Sequence, residues 1–335
     1  MLESRAVTGP EISVVIPTFN RPELLGACLD GFARQTVGRE RFEVVIVDDG
    51  SSAPLDAVVA PYHERLDLRL ERRRHRGVAP ARNVGVVLAR APRLILFDDD
   101  QSPLPAMVER CLDFHASEPG EEAFRLLRVV PEPGKPRDAR SIAMFERAFV
   151  FSFPRAGEDW GHGGFWGGAV TCKAGIFRYG LYDESYGMVE DVELGLRISQ
   201  WLPLHCHYDG APDIAQLRTL TVHEMARRWL RMAWFHLLWQ RNYPGLVKTG
   251  EMPVYRAADR TLAQGRDLAA LAAALEAQAD DLGWIADGAP PPGQAAGLEN
   301  FLTGLRALIN LCQAAGWVAA RSDEPLETAL ARLLP

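Results

Sequence analysis

The feature that most constrains this chain is a short apolar run that ends in three carboxylates. Leu94-Ile95-Leu96-Phe97 is followed directly by Asp98, Asp99 and Asp100. Four successive apolar residues predict a strand that is buried on both faces, as in a parallel sheet. The carboxyl end of such a strand faces the crevice in which open α/β sheets bind ligands. The run therefore predicts an α/β fold with an acidic site at one edge of its sheet.

The spacing of the carboxylates predicts how they point. Because side chains alternate along a strand, Asp98 and Asp100 are expected to project together, while Asp99 points away. Such carboxylates suit Mg²⁺ or Mn²⁺, which bind through one or two carboxylates together with substrate phosphates. The alternative is a solvated acidic turn at the end of a strand.

Other apolar segments fit the same sheet. Ile12–Ile16 predicts a first strand, Val44–Val47 a second and Leu68–Leu70 a shorter third, before Arg93–Phe97 as the fourth. A helix is predicted after the first strand, with Asn20 as its N-cap and a proline in its first turn. Strands that alternate with helices in this way indicate a parallel sheet with right-handed connections.

Charge and composition narrow the function classes. The net charge of −7 gives no reason to expect nucleic acid as a partner. No Gly-x-Gly-x-x-Gly follows the first strand and no Walker sequence is present, so the dinucleotide and phosphate-loop classes lose their main support. Five scattered cysteines and an N-terminus without a signal-like apolar core predict a cytoplasmic protein.

Four motifs follow one another near the beginning of the chain. They are Ser13–Arg21, Val45–Ser51, Gly77–Asn83 and Phe97–Asp100. Together they resemble the nucleotide-binding half of family 2 glycosyltransferases, and Glu190–Arg197 resembles the acidic motif at the start of that family's catalytic helix. The resemblance implies the GT-A fold, in which helices flank a mostly parallel central sheet that binds a nucleotide sugar.

The resemblance also implies a division of the chain. It extends a glycosyltransferase domain over residues 1–245, with a nucleotide-binding half at 11–100 and an acceptor half at 101–245. Residues 246–335 contain alanine and leucine at helical spacing and predict a C-terminal helical extension. Packing on the catalytic domain, covering the acceptor site and forming a homodimer are left open as its roles. Trp229–Trp239 is too short to span a bilayer, which leaves a buried helix or a peripheral membrane contact.

The family's motifs imply which residues bind the donor, a nucleotide-diphosphate sugar with UDP as the favoured nucleotide. Carried over residue by residue, they are Pro17, Thr18, Arg21, Asp49, Arg82, Asp98 and Asp99. Thr18 and Arg21 are expected to face ribose and phosphates, and Asp49 to accept a hydrogen bond from the base. Arg82 is expected either to reach the diphosphate or to hold a carboxylate at the sheet end.

A metal site is implied beside the diphosphate. Asp100 is the expected direct ligand of Mn²⁺ or Mg²⁺, Asp98 is expected to contact the metal or the ribose, and His223 is a candidate ligand from later in the chain. The metal would stabilise the charge that grows on the diphosphate as the sugar leaves. For His223, a role as a core or capping histidine is the alternative.

Catalysis is expected at the second acidic motif. The resemblance makes Asp191 the candidate general base, with Glu190 as its neighbouring alternative. A carboxylate that only stabilises a helix N-terminus is the other interpretation of Asp191. Trp166, Gly167 and Gly168 predict a loop that contacts the acceptor or the donor sugar, since glycine permits close approach and a flat ring packs on sugars.

These expectations combine into one predicted function. The chain is expected to be a metal-dependent inverting glycosyltransferase that moves one sugar to an acceptor hydroxyl by direct displacement, with the acceptor unknown. A retaining enzyme on the same fold, a sugar nucleotidyltransferase and a non-catalytic sugar-binding module are the alternatives. The nucleotidyltransferase would need a glycine-rich, lysine-bearing segment after the first strand, and Pro17–Arg21 is not one.

Overall fold

The chain folds into two compact units. We describe it from a computed structural model over residues 9–147, 155–247, 249–285 and 290–335. Within these ranges the first unit comprises residues 9–133 and 155–218, and the second comprises 134–147 together with the chain from Thr219 onward. The predicted boundary after residue 245 lies within the second unit. The assignment of residues 1–245 to one glycosyltransferase domain therefore stays a prediction.

The first unit contains two sheets. The strands of the larger sheet are, in chain order, β1 (Ile12–Thr18), β2 (Phe42–Asp48), β3 (Asp67–Arg72), β4 (Arg93–Phe97), β6 (Ala123–Leu126), β8 (Ala169–Lys173) and β9 (His205–His207). The smaller sheet contains β5 (Gln101–Pro103), β7 (Arg128–Pro131) and β10 (Pro212–Gln216). The spatial order is β3-β2-β1-β4-β8-β6-β9 in the larger sheet and β5-β10-β7 in the smaller one.

The larger sheet is mostly parallel, as the apolar runs predict. β1 pairs in parallel with β2 and with β4, and β2 pairs in parallel with β3. β8 runs antiparallel to its neighbours β4 and β6, and β9 pairs in parallel with β6. Every residue of β1 and β2 is buried, which explains why these strands are continuous apolar runs rather than alternating ones.

Helices cover this sheet. They are α1 (Pro22–Phe32), α2 (Asp56–Val59), α3 (Val78–Leu88), α4 (Met107–Ser117) and α6 (Glu190–Ser199). The prediction of Asn20 as the N-cap of α1 is wrong, because Arg21 occupies that position. Asn20 adopts a left-handed backbone conformation with φ of 54°, and its side-chain oxygen accepts a hydrogen bond from the backbone N–H of Ser52 at 2.8 Å. It therefore ties the β1 loop to the β2 loop.

The second unit is helical. Its helices are α5 (Ala139–Ile142), α7 (Val222–Asn242), α8 (Pro253–Arg256), α9 (Ala258–Leu262), α10 (Leu268–Leu282), α11 (Pro292–Arg321) and α12 (Leu326–Leu333). Thr221 and Glu224 form a capping box at the start of α7. The helices α7 and α11 approach closely at Gly316, where an added Cβ would lie 2.1 Å from the carbonyl oxygen of Leu230. The predicted C-terminal helical region is thus confirmed, and it packs with α7.

The segment Trp229–Trp239 lies inside α7. Leu230, Ala233 and Leu237 of this segment are buried in the core of the second unit. In the described part of the chain, no helix has both the length and the apolar character needed to cross a membrane. A peripheral membrane contact through this segment stays a prediction.

Candidate active site

Asp98, Asp99 and Asp100 follow directly after β4 and diverge. The strand ends at Phe97, so strict alternation of side chains does not extend through all three residues. The carboxylate of Asp98 points to Arg82, with Oδ1 accepting from Nη2 at 2.8 Å. Asp99 and Asp100 both approach Nη1 of Arg21, at 2.9 Å and 3.7 Å. The acidic end of β4 is therefore held by two arginines, Arg21 at the N-cap of α1 and Arg82 in α3.

Asp99 is the most buried of the three carboxylates. Its Oδ2 accepts a hydrogen bond from the Thr18 hydroxyl at 2.7 Å, and its Oδ1 accepts from Arg21. Burial raises the pKa of Asp99 to about 6, while the charge of Arg21 and the hydrogen bond from Thr18 act in the opposite direction. Asp99 thus connects the end of β1 to the end of β4. Pro17 lies in β1, directly before Thr18.

Arg82 bridges two acidic segments. It lies in α3 with only 5% of its side chain exposed, and its Nη1 donates to Oε1 of Glu190 at 2.6 Å. With its bond to Asp98, one guanidinium joins the end of β4 to the start of α6. Among the two roles predicted for Arg82, holding a carboxylate at the sheet end is the one that this geometry provides.

Two glycines allow the loop before β8 to approach this bridge. A Cβ on Gly167 would lie 2.6 Å from Nη1 of Arg82, and a Cβ on Gly168 would lie 2.1 Å from Oδ2 of Asp98. The backbone N–H of Gly167 donates to Oδ2 of Asp191 at 2.8 Å. Trp166, immediately before, donates from Nε1 to the carbonyl of Gly163 at 2.9 Å. The predicted loop residues thus lie beside both acidic segments.

The start of α6 places Glu190 and Asp191 in its first turn. The preceding residue, Val189, has φ of 58° and ψ of 15°. This left-handed conformation is unfavourable for a β-branched side chain and costs on the order of 1–3 kcal/mol. Burial, followed by the charge of Asp191, raises the pKa of Glu190 to about 7, and Arg82 opposes the shift. A strained residue and a perturbed carboxyl beside each other are typical of functional sites.

Asp49 accepts hydrogen bonds from the backbone of the loop between β3 and α3. Its Oδ1 accepts from the N–H of Arg76 at 2.9 Å, and its Oδ2 accepts from the N–H of Gly77 at 2.8 Å. Nδ1 of His75 also lies 2.8 Å from Oδ2. Oδ1 can accept a second hydrogen bond, and the contact of Asp49 with a base stays a prediction.

An aromatic pair that the sequence does not predict lies beside Asp49. The rings of Phe19 and His75 stack with centroids 4.1 Å apart and an interplanar angle of 19°. Phe19 follows β1 directly, and His75 lies two residues before Gly77. The only sequence signal was an aromatic residue at the end of the first strand, and nothing in the sequence indicated its partner.

Asp98 and Asp100 fit a divalent cation chemically. Burial, and then the charge of Asp98, raise the pKa of Asp100, so a cation between the two would relieve their mutual repulsion. Within the ranges described above, no three His, Cys, Asp or Glu side chains converge into a ligand set. Mg²⁺ commonly takes its other ligands from substrate phosphates and water. His223 lies in the first turn of α7, in the second unit, and its role as a ligand stays a prediction.

The family follows from the sequence around this site. Residues 13–174 match the sequence model described as "Glycosyl transferase family 2". This segment of the chain is a family 2 glycosyltransferase segment. The matched span contains all the predicted nucleotide-binding residues and ends before Glu190 and Asp191.

Curated relatives support the same family. Validoxylamine A glucosyltransferase of Streptomyces hygroscopicus subsp. jinggangensis is 34% identical over 227 residues, covering 59% of this chain and 52% of the relative. A PGL/p-HBAD biosynthesis glycosyltransferase of Mycobacterium bovis is 39% identical over 98 residues, which cover 29% of this chain and 38% of the relative. The chain spans about half the length of the validoxylamine A glucosyltransferases that it matches.

Solved structures establish the fold. The mannosyltransferase PcManGT from Pyrobaculum calidifontis superposes with a TM-score of 0.57 at 21% identity, covering 95% of this chain and 89% of that one. TarS from S. aureus superposes with a TM-score of 0.51 at 15% identity, covering 92% of this chain and 55% of that one. The GT-A fold that the sequence motifs implied is confirmed.

Proposed function

We propose that this chain is a metal-dependent, inverting glycosyltransferase that moves one sugar from a nucleotide-diphosphate sugar to an acceptor hydroxyl. The observation that carries the proposal is the bridge through Arg82. Its guanidinium brings Asp98, at the acidic end of β4, together with Glu190, beside Asp191. Direct displacement needs the donor phosphates and a general base to be held on opposite sides of one reacting carbon.

Relatives of the chain support a nucleotide-sugar donor. PcManGT was solved in complex with GDP-Man and Mn²⁺. TarS residues 1–349 were solved in complex with UDP-GlcNAc, with a TM-score of 0.50 to this chain. A UDP-sugar is the favoured donor and a GDP-sugar is the alternative. Calorimetric titration with UDP and GDP distinguishes the two.

The residues around β4 would bind the diphosphate and the nucleoside. Arg21 is 41% exposed at its side chain although it bonds to Asp99, so its guanidinium can also contact a phosphate. Thr18 orients Asp99, and Asp49 would accept from the base through Oδ1, which has only the N–H of Arg76 as a partner among the described residues. Arg82 acts as a positioning residue because it holds Asp98 in place.

Asp98 and Asp100 would hold Mn²⁺ or Mg²⁺. When bound, such a cation neutralises the negative charge that develops on the leaving diphosphate. The chain's own contribution is to place both carboxylates directly after β4, where a cation would offset the charge of Asp98 that helps to raise the pKa of Asp100.

Asp191 would act as the general base. It takes the proton of the acceptor hydroxyl as that oxygen forms its bond to the anomeric carbon. The bond from the anomeric carbon to the diphosphate oxygen breaks on the opposite face, and its electron pair stays on the diphosphate. A single displacement of this kind inverts the anomeric centre. The hydrogen bond from Gly167 N–H to Oδ2 fixes the orientation of the Asp191 carboxylate. A cytoplasmic location and a homodimer through the C-terminal helices remain predictions.

Calorimetric titration with UDP, GDP, CDP and TDP, each with Mn²⁺, Mg²⁺ or EDTA, tests the donor site. One diphosphate is expected to bind in the presence of metal and at least about tenfold more weakly in EDTA, about 1.4 kcal/mol. Asp100→Ala is expected to abolish this metal dependence, whereas Asp56→Ala, an exposed carboxylate on α2, is not.

Two results would overturn the proposal. If no diphosphate binds under any condition, the chain is better explained as a non-catalytic sugar-binding module. If the identified sugar is transferred and NMR shows that the product keeps the anomeric configuration of the donor, the single-displacement mechanism is wrong.

A further inference from the structure

The segment that leads into α6 is held by a side-chain amide of α3. Asn83 lies in the middle of α3 and is only 9% exposed. Its Oδ1 accepts a hydrogen bond from the backbone N–H of Tyr182 at 2.8 Å, and its Nδ2 donates to the carbonyl oxygen of the same residue at 2.9 Å. Asparagine is a poor helix former, so a buried asparagine in mid-helix indicates a role for its side chain. Here it satisfies both backbone groups of a residue that lies outside any strand or helix.

Tyr182 connects this clamp to Arg82. Both side chains are buried, and the guanidinium carbon of Arg82 lies over the Tyr182 ring, 5.7 Å from its centroid. A guanidinium in this position is attracted to the face of the ring, and the attraction is stronger away from water. Because Asn83 fixes the backbone of Tyr182, it also constrains the ring on which Arg82 packs.

Two other side chains contact the same loop. Arg197 of α6 donates from Nη2 to the carbonyl oxygen of Leu181 at 2.7 Å. Nη2 of Arg76 lies 2.5 Å from Oε2 of Glu184, but both of these side chains are exposed, so the ion pair contributes little to stability. Among these contacts, the two hydrogen bonds of Asn83 are the buried ones.

Arg82 and Asn83 together hold both ends of one segment. Asn83 contacts it at Tyr182, and Arg82 contacts it at Glu190. Successive residues of a helix point about 100° apart, so two adjacent side chains of α3 can reach two separate points. Between these points lies Val189, whose left-handed conformation persists only where the surrounding contacts fix it. The first turn of α6 is therefore anchored through α3.

We propose that Asn83 is a positioning residue for the predicted general base, Asp191. By fixing Tyr182, it keeps Arg82 against Glu190 and so keeps the first turn of α6 in place. The inference rests on the proposed function and adds to it a residue whose amide bonds to the chain itself. Displacing a catalytic group by about 1 Å can lower a rate about 10²-fold, so losing the clamp should affect turnover more than binding.

A coupling measurement tests the clamp without requiring activity. Urea denaturation of the full chain, of Arg82→Met, of Glu190→Met and of the double variant gives the coupling energy between the two residues. The same four proteins are then made with Asn83→Ala in addition. We expect the coupling energy to fall to about half or less, because Tyr182 no longer supports Arg82. A general loss of stability would leave the coupling energy unchanged.

Turnover gives the second readout. Release of UDP from UDP-glucose with Mn²⁺ should show a kcat at least about tenfold lower in Asn83→Ala. The Kd of UDP, measured by calorimetry, should rise less than about threefold, because Arg82 keeps its bond to Asp98. Asn300→Ala, at an exposed position in α11, is the matched control and should change neither quantity.

A second variant covers the case in which Asn83→Ala fails to fold. Asn83→Gln keeps both amide groups on a side chain one carbon longer, so it should show the same changes at smaller size and then decides. The inference is overturned if the coupling energy is unchanged, or if kcat and UDP affinity fall together, because Asn83 would then act at the donor site. It is also overturned if the unaltered chain releases UDP and Asn83→Ala does so within about twofold of the same rate. If the unaltered chain releases no UDP, the proposed function loses support and the coupling energy alone decides the role of Asn83.

Discussion

The guanidinium of Arg82 lies 2.6 Å from the carboxylate of Glu190, although 108 residues separate the two in the chain. Both side chains are more than nine-tenths buried. Because Arg82 also donates to Asp98, the pair joins α3, the end of β4 and the first turn of α6. The position of the predicted general base relative to the predicted donor site depends on this contact.

Removing Arg82 should therefore destabilise the first unit. Arg82→Met leaves Glu190 buried without its partner, and the free energy of unfolding is expected to fall by roughly 3–5 kcal/mol. The double variant Arg82→Met/Glu190→Met should lose clearly less than the two single losses added together. Urea denaturation of all four proteins gives the coupling energy. Strictly additive losses would show that the two residues act independently.

Glu190 should also give the enzyme a pH dependence near neutrality. Because its pKa is raised to about 7, protonation below that pH removes the charge that Arg82 holds. If the ionised pair is needed, kcat/KM for the donor should fall as pH decreases through about 7. In Glu190→Gln, kcat/KM should be low and should no longer change with pH in this range.

The free energy of unfolding should change with pH in the direction opposite to kcat/KM. Between the ordinary glutamate pKa of 4.5 and about 7, the folded chain keeps a proton that the unfolded chain has lost, so the contribution of Glu190 to stability falls as pH rises. The free energy of unfolding, measured at several pH values across this window, should depend less steeply on pH in Glu190→Gln. An unchanged slope would contradict the raised pKa.

Asp191→Asn should separate chemistry from binding. The amide keeps the shape and can still interact with the Gly167 loop, but it cannot take a proton. Turnover is expected to fall by roughly 10²–10⁴-fold, while nucleotide affinity changes less than about twofold. Asp56→Asn serves as the matched exposed control. Full turnover in Asp191→Asn would move the base to another residue.

Gly168→Ala tests the close approach to Asp98. The added Cβ would lie 2.1 Å from Oδ2, so the carboxylate or the loop must move, at a cost of roughly 1–3 kcal/mol. Metal-dependent diphosphate binding should weaken by about tenfold. Gly163→Ala, in the same loop but with nothing within 4 Å of the added Cβ, should bind normally. Equal behaviour of the two variants would refute the role given to this contact.

Gly316→Ala tests the packing of α7 on α11 in the second unit. The new Cβ would meet the backbone oxygen of Leu230 at 2.1 Å, and a helix backbone cannot move aside cheaply. Thermal unfolding should show a loss of roughly 1–3 kcal/mol. Gly293→Ala, near the start of α11 with nothing within 4 Å, is the control. An unaffected Gly316→Ala would mean that the two helices can separate without cost.

The strands could be predicted because burial on both faces shows directly in the sequence. The predicted strand Arg93–Phe97 agrees in its bounds with β4, and Ile12–Ile16 lies within β1. The smaller sheet escaped prediction, since β5 is only Gln101–Pro103 and lacks an apolar run. Short strands of this kind form because a neighbouring strand is present, which a local pattern does not reveal.

The site could be predicted in its residue types but not in its contacts. Acidic residues at strand and helix ends indicated Asp98 and Asp191, and the glycines indicated a close backbone approach. The sequence could not indicate that Asp99 would accept from Thr18, because partners across a loop depend on the tertiary fold. It also gave no indication that Glu190 would be buried against Arg82, or that Val189 would be left-handed.

The conformation of Val189 has a consequence for any attempt to make this protein more heat-resistant. Glycine would adopt φ of 58° without steric strain, so a screen for stability alone would favour replacing the valine. The same replacement would make the backbone more flexible directly before the first turn of α6, which carries Glu190 and Asp191. At Val189, higher thermal stability is therefore expected to come at the expense of the alignment of the predicted catalytic carboxylates.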